Sequence, residues 1–369
     1  MTVGYAYSAD LISYADTLPS NQGRASRVHG LIAAYGLDQQ CDIIHVEPCK
    51  ITDLEKYHDR DFVRYLMTRN TYGIESDSED DGDPDSDYGL QYDCPIFKGL
   101  SMYVRLMVGA TLACANYLLY APAHTSNVAI NWTGGRHHAK RAKCSGFCYV
   151  NDVVLGIQRL RTKFQKVLYI DLDLHHGDGV ETAFAHSQHV FCVSVHRFEP
   201  GFFPGSGGLD NRRAKHTVNI PTKRWLSDEV LNRMFEDIIC PHKERFLPDA
   251  VVVTCGCDGL WRDRRYGEWN LSIDGIDVVV SQILSWNLPT LLLGGGGYHL
   301  TDSARCWTLL TASALGIESR REWNEIPDHQ FVDEYADDLC RLRTSSQVGM
   351  MADENDSKYV DMLVDALAP

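Results

Sequence analysis

The chain lacks several features that would assign it to particular protein classes. No run of about eighteen consecutive apolar residues occurs, which argues against a membrane-spanning helix. The amino terminus has no basic segment followed by an apolar one, so no secretory signal is predicted. None of the twelve cysteines belongs to a Cys-x-x-Cys pair. The thiols are therefore expected to be reduced and buried, as in an intracellular protein.

Basic residues are scarce relative to acidic ones. The chain has 35 Lys and Arg against 50 Asp and Glu, a formal net charge of −15. This balance argues against direct nucleic-acid binding and suits a cationic partner, although ordinary solubility explains it equally well. Acidic side chains concentrate in residues 75–87. That segment has too little apolar surface to bury and is predicted to be an exposed loop.

The order of apolar and amphipathic segments predicts an α/β protein. With 369 residues, 44% of them hydrophobic, the chain is long enough for one large domain or two ordinary ones. Predicted strands, among them residues 128–131, 167–172, 250–255 and 290–293, alternate with predicted helices. This order indicates a mostly parallel multi-stranded sheet with helices on both faces. Because no repeat or linker divides the chain, we predict one domain over residues 1–369, with a helical tail from about residue 330.

One stretch, from Asp171 to Gly179, carries an unusual concentration of ionisable groups. It follows the apolar run 167–170, which is typical of a strand buried on both faces. Ligands of α/β proteins lie at the carboxyl ends of such strands. In an extended chain Asp171, Asp173 and His175 would share one face. This pattern predicts a divalent-metal site, and a solvated turn is the alternative.

Three other predicted strands also end in reactive-looking segments. They are followed by Gly134-Gly-Arg-His-His138, by Cys255-Gly-Cys-Asp-Gly259 and by the glycine tetrad that precedes Tyr298. Adjacent histidines need partners for their ring nitrogens and make poor core residues. The tetrad lacks the lysine and hydroxyl residue of a phosphate-binding loop. We therefore expect it to form a tight turn that presents the phenol of Tyr298.

Taken together, these segments resemble the class I histone deacetylases of the arginase–deacetylase fold. The matching motifs are residues 92–95, 134–140, 145–152, 171–180, 200–205 and 293–298, and the family's spacing extends from about residue 24 to 328. The resemblance implies a metal-dependent hydrolase that removes the acetyl group from N-ε-acetyl-lysine in histones and other proteins. It further implies a chromatin regulator that represses transcription, located in nucleus and cytoplasm. Corepressor-type protein partners are conceivable but unidentified.

The resemblance also implies a catalytic centre. Its metal ligands would be Asp173, His175 and Asp258, binding Zn²⁺, with Fe²⁺ conceivable because two ligands are oxygen donors. A metal-bound water would attack the amide. The implied catalytic groups are the general base His138, its electrostatic partner His137, their hydrogen-bond acceptors Asp178 and Asp171 respectively, and the oxyanion donor Tyr298.

Further residues are implied to bind the substrate or a structural ion. The substrate-binding set is Asp93, Gly146, Phe147, Phe203 and Tyr298. The set for a structural K⁺ ion is Asp171, Asp173, His175, Ser194 and Val195.

Two substitutions depart from the family pattern beside these residues. Arg136 replaces a tryptophan, and its charge would lower the pKa of both histidines unless it points away or pairs with an acid. Cys257 replaces an alanine. These departures keep open a catalytically weak binding or scaffold protein. An amidohydrolase for acetylpolyamines or ureido compounds is a second alternative, although Asp263 is too far along the chain from Asp258 to fit a two-metal site.

Two hypotheses concern residues outside the centre. Arg262, Arg264 and Arg265 could form a basic rim that favours substrates with acidic flanking residues. Ser26 follows Arg24 as in a basic-directed phosphorylation site, and a phosphate there would add a charge of about −1.5 to −2. An ordinary serine in the first turns of a helix is an equally good interpretation.

Overall fold

The computed structural model describes residues 2–69, 84–120, 127–209, 216–263, 267–317, 321–344 and 351–369. Within these ranges the strands are β1 (Thr2–Tyr7), β2 (Asp42–His45), β3 (Asn127–Asn131), β4 (Val167–Asp171), β5 (Val190–Arg197), β6 (Thr217–Thr222), β7 (Ala250–Thr254) and β8 (Thr290–Leu293). The α-helices are α1 (Ala9–Ala15), α2 (Arg24–Ala34), α3 (Ile51–Leu54), α4 (Arg60–Thr68), α5 (Pro84–Asp87), α6 (Leu100–Tyr120), α7 (Asp152–Leu160), α8 (Asp178–Phe184), α9 (Asp228–Met234), α10 (Cys240–Phe246), α11 (Ile273–Ser285), α12 (Leu300–Ala314) and α13 (Ser357–Leu367).

The eight strands form one sheet in the order β2-β1-β3-β8-β7-β4-β5-β6. Every neighbouring pair is parallel. Parallel neighbours require crossover connections, which the intervening helices provide on both faces of the sheet. The predicted α/β class and the mostly parallel sheet are therefore confirmed. That residues 1–369 form one domain stays a prediction.

Side-chain alternation along the strands divides the core into two halves. In β4, Leu168 and Ile170 pack in the half covered by α2, α11 and α12. Val167 and Tyr169 face the opposite half, under α6 and α7. All five residues of β4 are buried. A strand with helices on both of its faces has no polar side, which explains the uninterrupted apolar run in the sequence.

Two predicted segments differ from the structure. The helix expected over residues 228–240 continues to Phe246 and contains a π-helical stretch, Phe235–Ile239, between α9 and α10. Residues 75–83 of the predicted acidic loop lie outside the described residues, and Pro84–Asp87 forms a short helix instead of a loop. The predicted tail contains the amphipathic helix α13, which buries Val360 and Leu363.

Helix α6 is long and apolar enough to cross a membrane by length and composition alone. Among the described residues it is the one helix that meets both criteria, with a mean hydropathy of 1.3. Its sequence has no run of eighteen consecutive apolar residues, because Arg105, Thr111 and Asn116 interrupt the run, although residues 102–120 were predicted to form a core helix. Since 67% of the apolar window is buried inside the protein, the helix packs as a core helix.

All twelve cysteines are free, as predicted. Nine of them are buried, and Cys41, Cys240 and Cys340 are half-buried. Burial raises the pKa of several of these thiols, for example that of Cys148 to about 12. They remain protonated and pack as small apolar side chains.

A buried histidine connects the helical layer to the loop after β3. The backbone N–H of Asn151 donates to Nε2 of His58 at 2.9 Å, so Nδ1 carries the proton and donates to the carbonyl of Arg141 at 3.2 Å. The side-chain amide of Asn151 in turn donates to the carbonyls of His137 and Ala139 at 3.2 and 3.0 Å. Burial lowers the pKa of His58 to about 4. The folded protein therefore requires this imidazole to be neutral.

This requirement predicts a pH-dependent stability. In the unfolded chain a histidine has a pKa of about 6.5. Between about pH 6.5 and 4 the unfolded state binds a proton at His58 that the folded state excludes. The stability that neutral His58 contributes to the folded protein is fully present above pH 6.5 and is lost as the pH falls toward 4. The free energy of unfolding in urea would be measured between pH 6.5 and 4. As the pH falls, it should decrease more steeply for the wild type than for His58→Gln, by up to about 1.4 kcal/mol per pH unit.

The matched control for that measurement is His45→Gln, because the His45 side chain is 82% exposed. This variant should keep the wild-type pH dependence. Equal slopes for wild type and His58→Gln would contradict the neutral, buried state of His58.

Candidate active site

The site lies where four loops meet at one edge of the sheet. Strands β3, β8, β7 and β4 are consecutive neighbours, although they are far apart in the chain. Because all of them are parallel, their carboxyl ends lie at the same edge. The loops that follow them are residues 132–138, 294–298, 255–258 and 172–178. Each of the four segments singled out in the sequence therefore contributes to one site.

Three side chains at this edge form a cluster suited to a metal ion. Asp173, His175 and Asp258 each offer one ligand atom, and these atoms all lie within 4.8 Å of one another. Nδ1 of His175 lies 3.0 Å from Oδ2 of Asp258 and 3.4 Å from Oδ1 of Asp173. All three side chains are buried. The predicted ligand set is thus brought together in the fold.

The backbone conformation that brings Asp173 and His175 into the cluster differs from the predicted one. Strand β4 ends at Asp171, so Asp173 and His175 do not share a strand face with it. Instead, the N–H of Asp173 donates to Oδ1 of Asp171 at 3.1 Å, and the N–H of His175 donates to Oδ1 of Asp173 at 3.0 Å. Aspartate side chains that bind the backbone two residues on favour turns. The expectation of an extended chain was wrong.

The charges of the cluster favour the binding of a cation. Burial and the neighbouring Asp173 raise the pKa of Asp258 to about 6. Burial lowers the pKa of His175, but its hydrogen bonds to Asp173 and Asp258 outweigh this effect and raise the pKa to about 10. Without a metal, the two buried carboxylates therefore bind a proton on His175. A divalent cation would compensate their negative charge more completely. Two oxygen donors and one nitrogen donor fit Zn²⁺ or Fe²⁺ and leave further coordination positions open.

Two histidine–aspartate pairs lie beside this cluster. Nδ1 of His137 is 2.7 Å from Oδ2 of Asp171, and Nδ1 of His138 is 2.9 Å from Oδ1 of Asp178. Both imidazoles are buried, with ring centroids 3.9 Å apart. A carboxylate at Nδ1 fixes the ring orientation and leaves Nε2 of each histidine for other partners.

The two imidazoles differ in protonation. Burial lowers the pKa of His137, but the charges of Asp171 and Asp173 outweigh it and raise the pKa to about 9. Burial and the charge of His137 lower the pKa of His138 to about 3. At neutral pH His137 is charged and His138 is neutral. Environments that push two neighbouring pKa values apart separate electrostatic from acid–base roles.

Arg136 and Cys257, the two departures from the family pattern, are both buried next to the site. The Arg136 side chain lines an interior cavity with Arg24, and the groups that raise the pKa of His137 are carboxylates. The thiol of Cys257 lies 3.9 Å from the carbonyl of Cys255. The main influences on the pKa values of His137 and His138 are burial, the neighbouring carboxylates and the other imidazoles. That the two departures leave catalysis intact stays a prediction.

The glycine tetrad packs directly on the carboxylates of the cluster. The N–H of Gly296 donates to Oδ2 of Asp173 at 2.7 Å, and a Cβ at Gly296 would overlap the Asp258 carboxylate. Gly297 has φ 130°, which side chains disfavour. Immediately afterwards the N–H of Tyr298 donates to Oδ2 of Asp263 at 2.6 Å. No pattern in the sequence indicated this anchoring role of Asp263.

Aromatic rings surround the cluster. Phe203 lies edge-on to His138, with ring centroids 4.9 Å apart, and Phe147 lies edge-on to Tyr298 at 5.8 Å. Phe147 and Phe203, two of the predicted substrate-binding residues, therefore both border the site. Phe202, which the sequence analysis did not single out, stacks on His175 at 5.5 Å. Its only sequence signal was membership of the 200–205 motif.

The remaining predicted substrate and cation residues lie nearby. One carboxylate oxygen of Asp93 accepts from the N–H of Gly146 at 2.7 Å. Ser194 lies opposite Asp171 in the pairing of β4 with β5, and Val195 follows it. The Ser194 hydroxyl lies 2.9 Å from Nδ1 of His196. The described backbone thus brings Ser194 and Val195 next to the strand end that carries Asp171.

The prediction that Arg262 belongs to an exposed basic rim is wrong. Its guanidinium forms ion pairs with Asp302 and Asp338, and the side chain is only 16% exposed. Arg264 and Arg265 lie outside the described residues. Arg262 is therefore a structural cation rather than a free charge that could select substrates.

The predicted phosphorylation site, Ser26, has a structural partner in the fold. It lies in the first turn of α2 and is half-buried. Its backbone N–H donates to Oδ1 of Asp16 at 3.1 Å, and its hydroxyl bonds to Oδ2 of the same carboxylate. Asp16 thereby satisfies a free donor at the start of the helix.

Comparison with known proteins agrees with this geometry. The family model described as "Histone deacetylase domain" matches residues 18–314. Histone deacetylase 8 of Xenopus tropicalis is 40% identical over 98% of this chain and 96% of its own length, and that of Danio rerio is 40% identical over 99% and 94%. Human histone deacetylase 1 is 36% identical over 98% and 73%. The chain belongs to the histone deacetylase family and is a metal-dependent lysine deacetylase.

Proposed function

We propose that this protein hydrolyses the acetamide of N-ε-acetyl-lysine in histone tails and other proteins at a centre where Asp173, His175 and Asp258 hold one Zn²⁺ or Fe²⁺ ion. The observation that carries the proposal is that three ligand atoms within 4.8 Å lie beside two buried histidine–aspartate pairs. When bound, the cation would polarise the amide carbonyl and activate water for attack. The roles of the surrounding residues follow from their protonation and contacts.

His138 is proposed as the residue that moves the proton. It is neutral, and Asp178 occupies its Nδ1, so Nε2 is the atom that accepts a proton as attack begins. The same nitrogen can return the proton to the departing lysine amine. His137, held by Asp171, keeps its charge and stabilises negative charge that develops nearby.

Tyr298 and the aromatic residues are proposed to bind and orient the substrate. The phenol of Tyr298 would donate to the carbonyl oxygen as it becomes negative. Phe147 and Phe203 would enclose the apolar stem of the acetylated lysine. The Gly146 backbone would accept the N–H of its amide. Asp93 would accept from backbone N–H groups of the substrate, in addition to the bond it makes to Gly146.

A structural K⁺ ion is proposed at the junction of β4 and β5. Its ligands would come from Asp171, Asp173, His175, Ser194 and Val195. Asp171 and Ser194 lie opposite each other in the pairing of β4 with β5, which supports a shared ion at this junction. We further propose that the protein acts in nucleus and cytoplasm as a chromatin regulator, without direct contact to nucleic acid, and that its partners are acetylated proteins and unidentified corepressor-type proteins.

The experiment that tests the proposed function compares two substrate classes. The purified 369-residue chain would be assayed on an acetyl-lysine histone peptide and on N-acetylspermidine, with bound Zn and Fe measured in the same sample. We expect one equivalent of catalytic divalent metal and a higher kcat/KM for the peptide. Preference for the polyamine would contradict the substrate class, and turnover of neither compound would contradict the function.

Ser26 supplies a separate prediction about regulation. A negative charge at this position would face the carboxylate of Asp16 and replace a favourable hydrogen bond by repulsion. Arg24, two residues earlier, binds the carbonyl of Gly297 next to Tyr298. We therefore expect Ser26→Glu to lower both Tm and the kcat/KM of peptide hydrolysis. Ser26→Ala is the control and should lose only about 0.5–1.5 kcal/mol of stability. Wild-type kinetics in Ser26→Glu would exclude a regulatory role.

A further inference from the structure

Tyr298 lies between a glycine segment and the start of a long helix. The four preceding glycines have no side chains that could restrict the backbone, and Gly295 and Gly297 have φ values of 153° and 130°. After Tyr298, helix α12 begins at Leu300 with His299 as its N-cap. The position of the phenol therefore depends on hydrogen bonds that hold the backbone from other parts of the chain.

Asp263 supplies two such hydrogen bonds at this junction. Its Oδ2 accepts from the N–H of Tyr298 at 2.6 Å and from the N–H of His299 at 3.2 Å. Asp263 is only 1% exposed, and hydrogen bonds from backbone N–H groups offset the cost of burying a carboxylate. The start of a helix also favours a negative charge nearby. One oxygen thus holds two consecutive residues where the catalytic loop meets α12.

The loop that carries Asp263 also carries the proposed metal ligand Asp258, five residues earlier. The segment between them consists of tight turns. The N–H of Leu260 donates to the carbonyl of Cys257 at 3.2 Å, and the N–H of Asp263 donates to the carbonyl of Leu260 at 2.9 Å. Residues 257–263 therefore form a compact unit that fixes the Asp263 carboxylate relative to Asp258.

The neighbouring Arg262 attaches the same loop to α12 a second time. Its guanidinium donates at 2.7 Å to Asp302, in the first turn of α12, and at 2.7 Å to Asp338. Arg305, which is fully buried, donates to the same two carboxylates at 2.8 and 2.9 Å. Two consecutive loop residues are therefore held against the start of α12, which limits movement of the loop relative to Tyr298.

We propose that Asp263 is a positioning residue for deacetylation. By holding the N–H groups of Tyr298 and His299, it fixes the phenol relative to the cation that Asp258 would bind. A displacement of about 1 Å near a reacting group can cost about 10²-fold in rate. One loop thus sets both the metal ligand and the position of the oxyanion donor. The inference rests on the proposed function, because the phenol matters only if the acetamide is attacked at this centre.

A double-mutant cycle tests the inference on the Zn-loaded 369-residue chain with an acetyl-lysine histone peptide. Asp263→Leu keeps a side chain of similar shape and removes the acceptor. We expect kcat to fall about 10–100-fold while KM stays within about threefold of wild type. In the Tyr298→Phe background the same substitution should change kcat less than about threefold, because no hydroxyl remains to be positioned.

A conservative variant and a matched control separate positioning from general stability. Asp263→Asn keeps one carbonyl oxygen, which can accept from both N–H groups, so kcat should stay within about tenfold of wild type. Asp356→Leu is the control, because the Asp356 carboxylate accepts from the N–H of Tyr359 at 2.8 Å at the start of α13. It should lower Tm and keep the kcat of its background. Bound Zn and Tm would be measured for every variant.

Three results would overturn the inference: a kcat of Asp263→Leu within about threefold of wild type, an equal loss in both backgrounds, or loss of bound Zn, which would assign the loop to support of Asp258 alone. If Asp263→Leu fails to fold, Asp263→Ala replaces it in the cycle, since water can then reach the two N–H groups. Wild-type protein that turns over no acetyl-lysine peptide is a different result. It contradicts the proposed function itself and removes the inference with it.

Discussion

Replacement of Asp258 by asparagine is expected to abolish metal binding and deacetylation together. The substitution keeps the size of the side chain and the oxygen that accepts from the N–H of Leu174 at 3.1 Å. It replaces an anionic ligand by a neutral amide. Since loss of a residue that only supports a ligand typically costs about 10–100-fold in metal affinity or activity, loss of a ligand should cost more than about 100-fold.

The stability of this variant provides an independent check. In the metal-free wild type, burial and the charge of Asp173 raise the pKa of Asp258 to about 6. The neutral amide removes this repulsion, so metal-free Asp258→Asn should melt no lower than the metal-free wild type. Metal content, kcat/KM and Tm would be measured beside Asp274→Asn, a control on the 52%-exposed Asp274 side chain. Stoichiometric metal with wild-type turnover in Asp258→Asn would refute the ligand assignment.

Replacement of Tyr298 by phenylalanine should lower kcat about 10²–10³-fold while KM changes little. The variant keeps the ring, its edge-on contact with Phe147 and the backbone hydrogen bond to Asp263. It deletes only the hydroxyl, whose proposed bond to the carbonyl oxygen strengthens as negative charge develops. Removal of one such donor typically costs about 3–4 kcal/mol of transition-state stabilisation, and ground-state binding is largely unaffected.

A purely structural tyrosine would behave differently. Its hydroxyl would contribute to Tm and not to kcat, so kcat, KM and Tm should be measured together on an acetyl-lysine peptide. Tyr120→Phe, at a tyrosine that is 77% exposed, controls for the loss of a hydroxyl elsewhere. A kcat for Tyr298→Phe within about threefold of wild type, or roughly 0.6 kcal/mol, would remove Tyr298 from the mechanism.

The sequence predicted the local parts of this protein well, because those parts depend on near neighbours in the chain. Strand β8 has the predicted bounds, and β4 and β7 each end one residue earlier than predicted. A parallel sheet buried on both faces imposes uninterrupted apolar runs, which can be recognised without knowing the partners of a strand. The polar segments at the strand ends could be recognised for the same reason.

Several features of the site depended on side-chain direction, which the sequence pattern does not encode. Arg136 is adjacent to His137 in the chain, but Arg136 lines an interior cavity that His137 does not border. Arg262 resembled an exposed cation and is held by two acids that follow it by 40 and 76 residues. Asp263 resembled a misplaced metal ligand and instead anchors the backbone of Tyr298.

What the sequence by itself determined is the type of chemistry: carboxylates, imidazoles and a phenol at the ends of buried parallel strands. Only the tertiary structure decided how these groups act together. The strand order β3-β8-β7-β4 brings Asp258 to within 3.0 Å of His175. Burial then acts on the neighbouring imidazoles, so that the carboxylates around His137 hold its proton and the charge of His137 excludes one from His138. The physical reason is that Coulomb interactions and desolvation depend on distances through the folded protein, whereas the sequence specifies only distances along the chain.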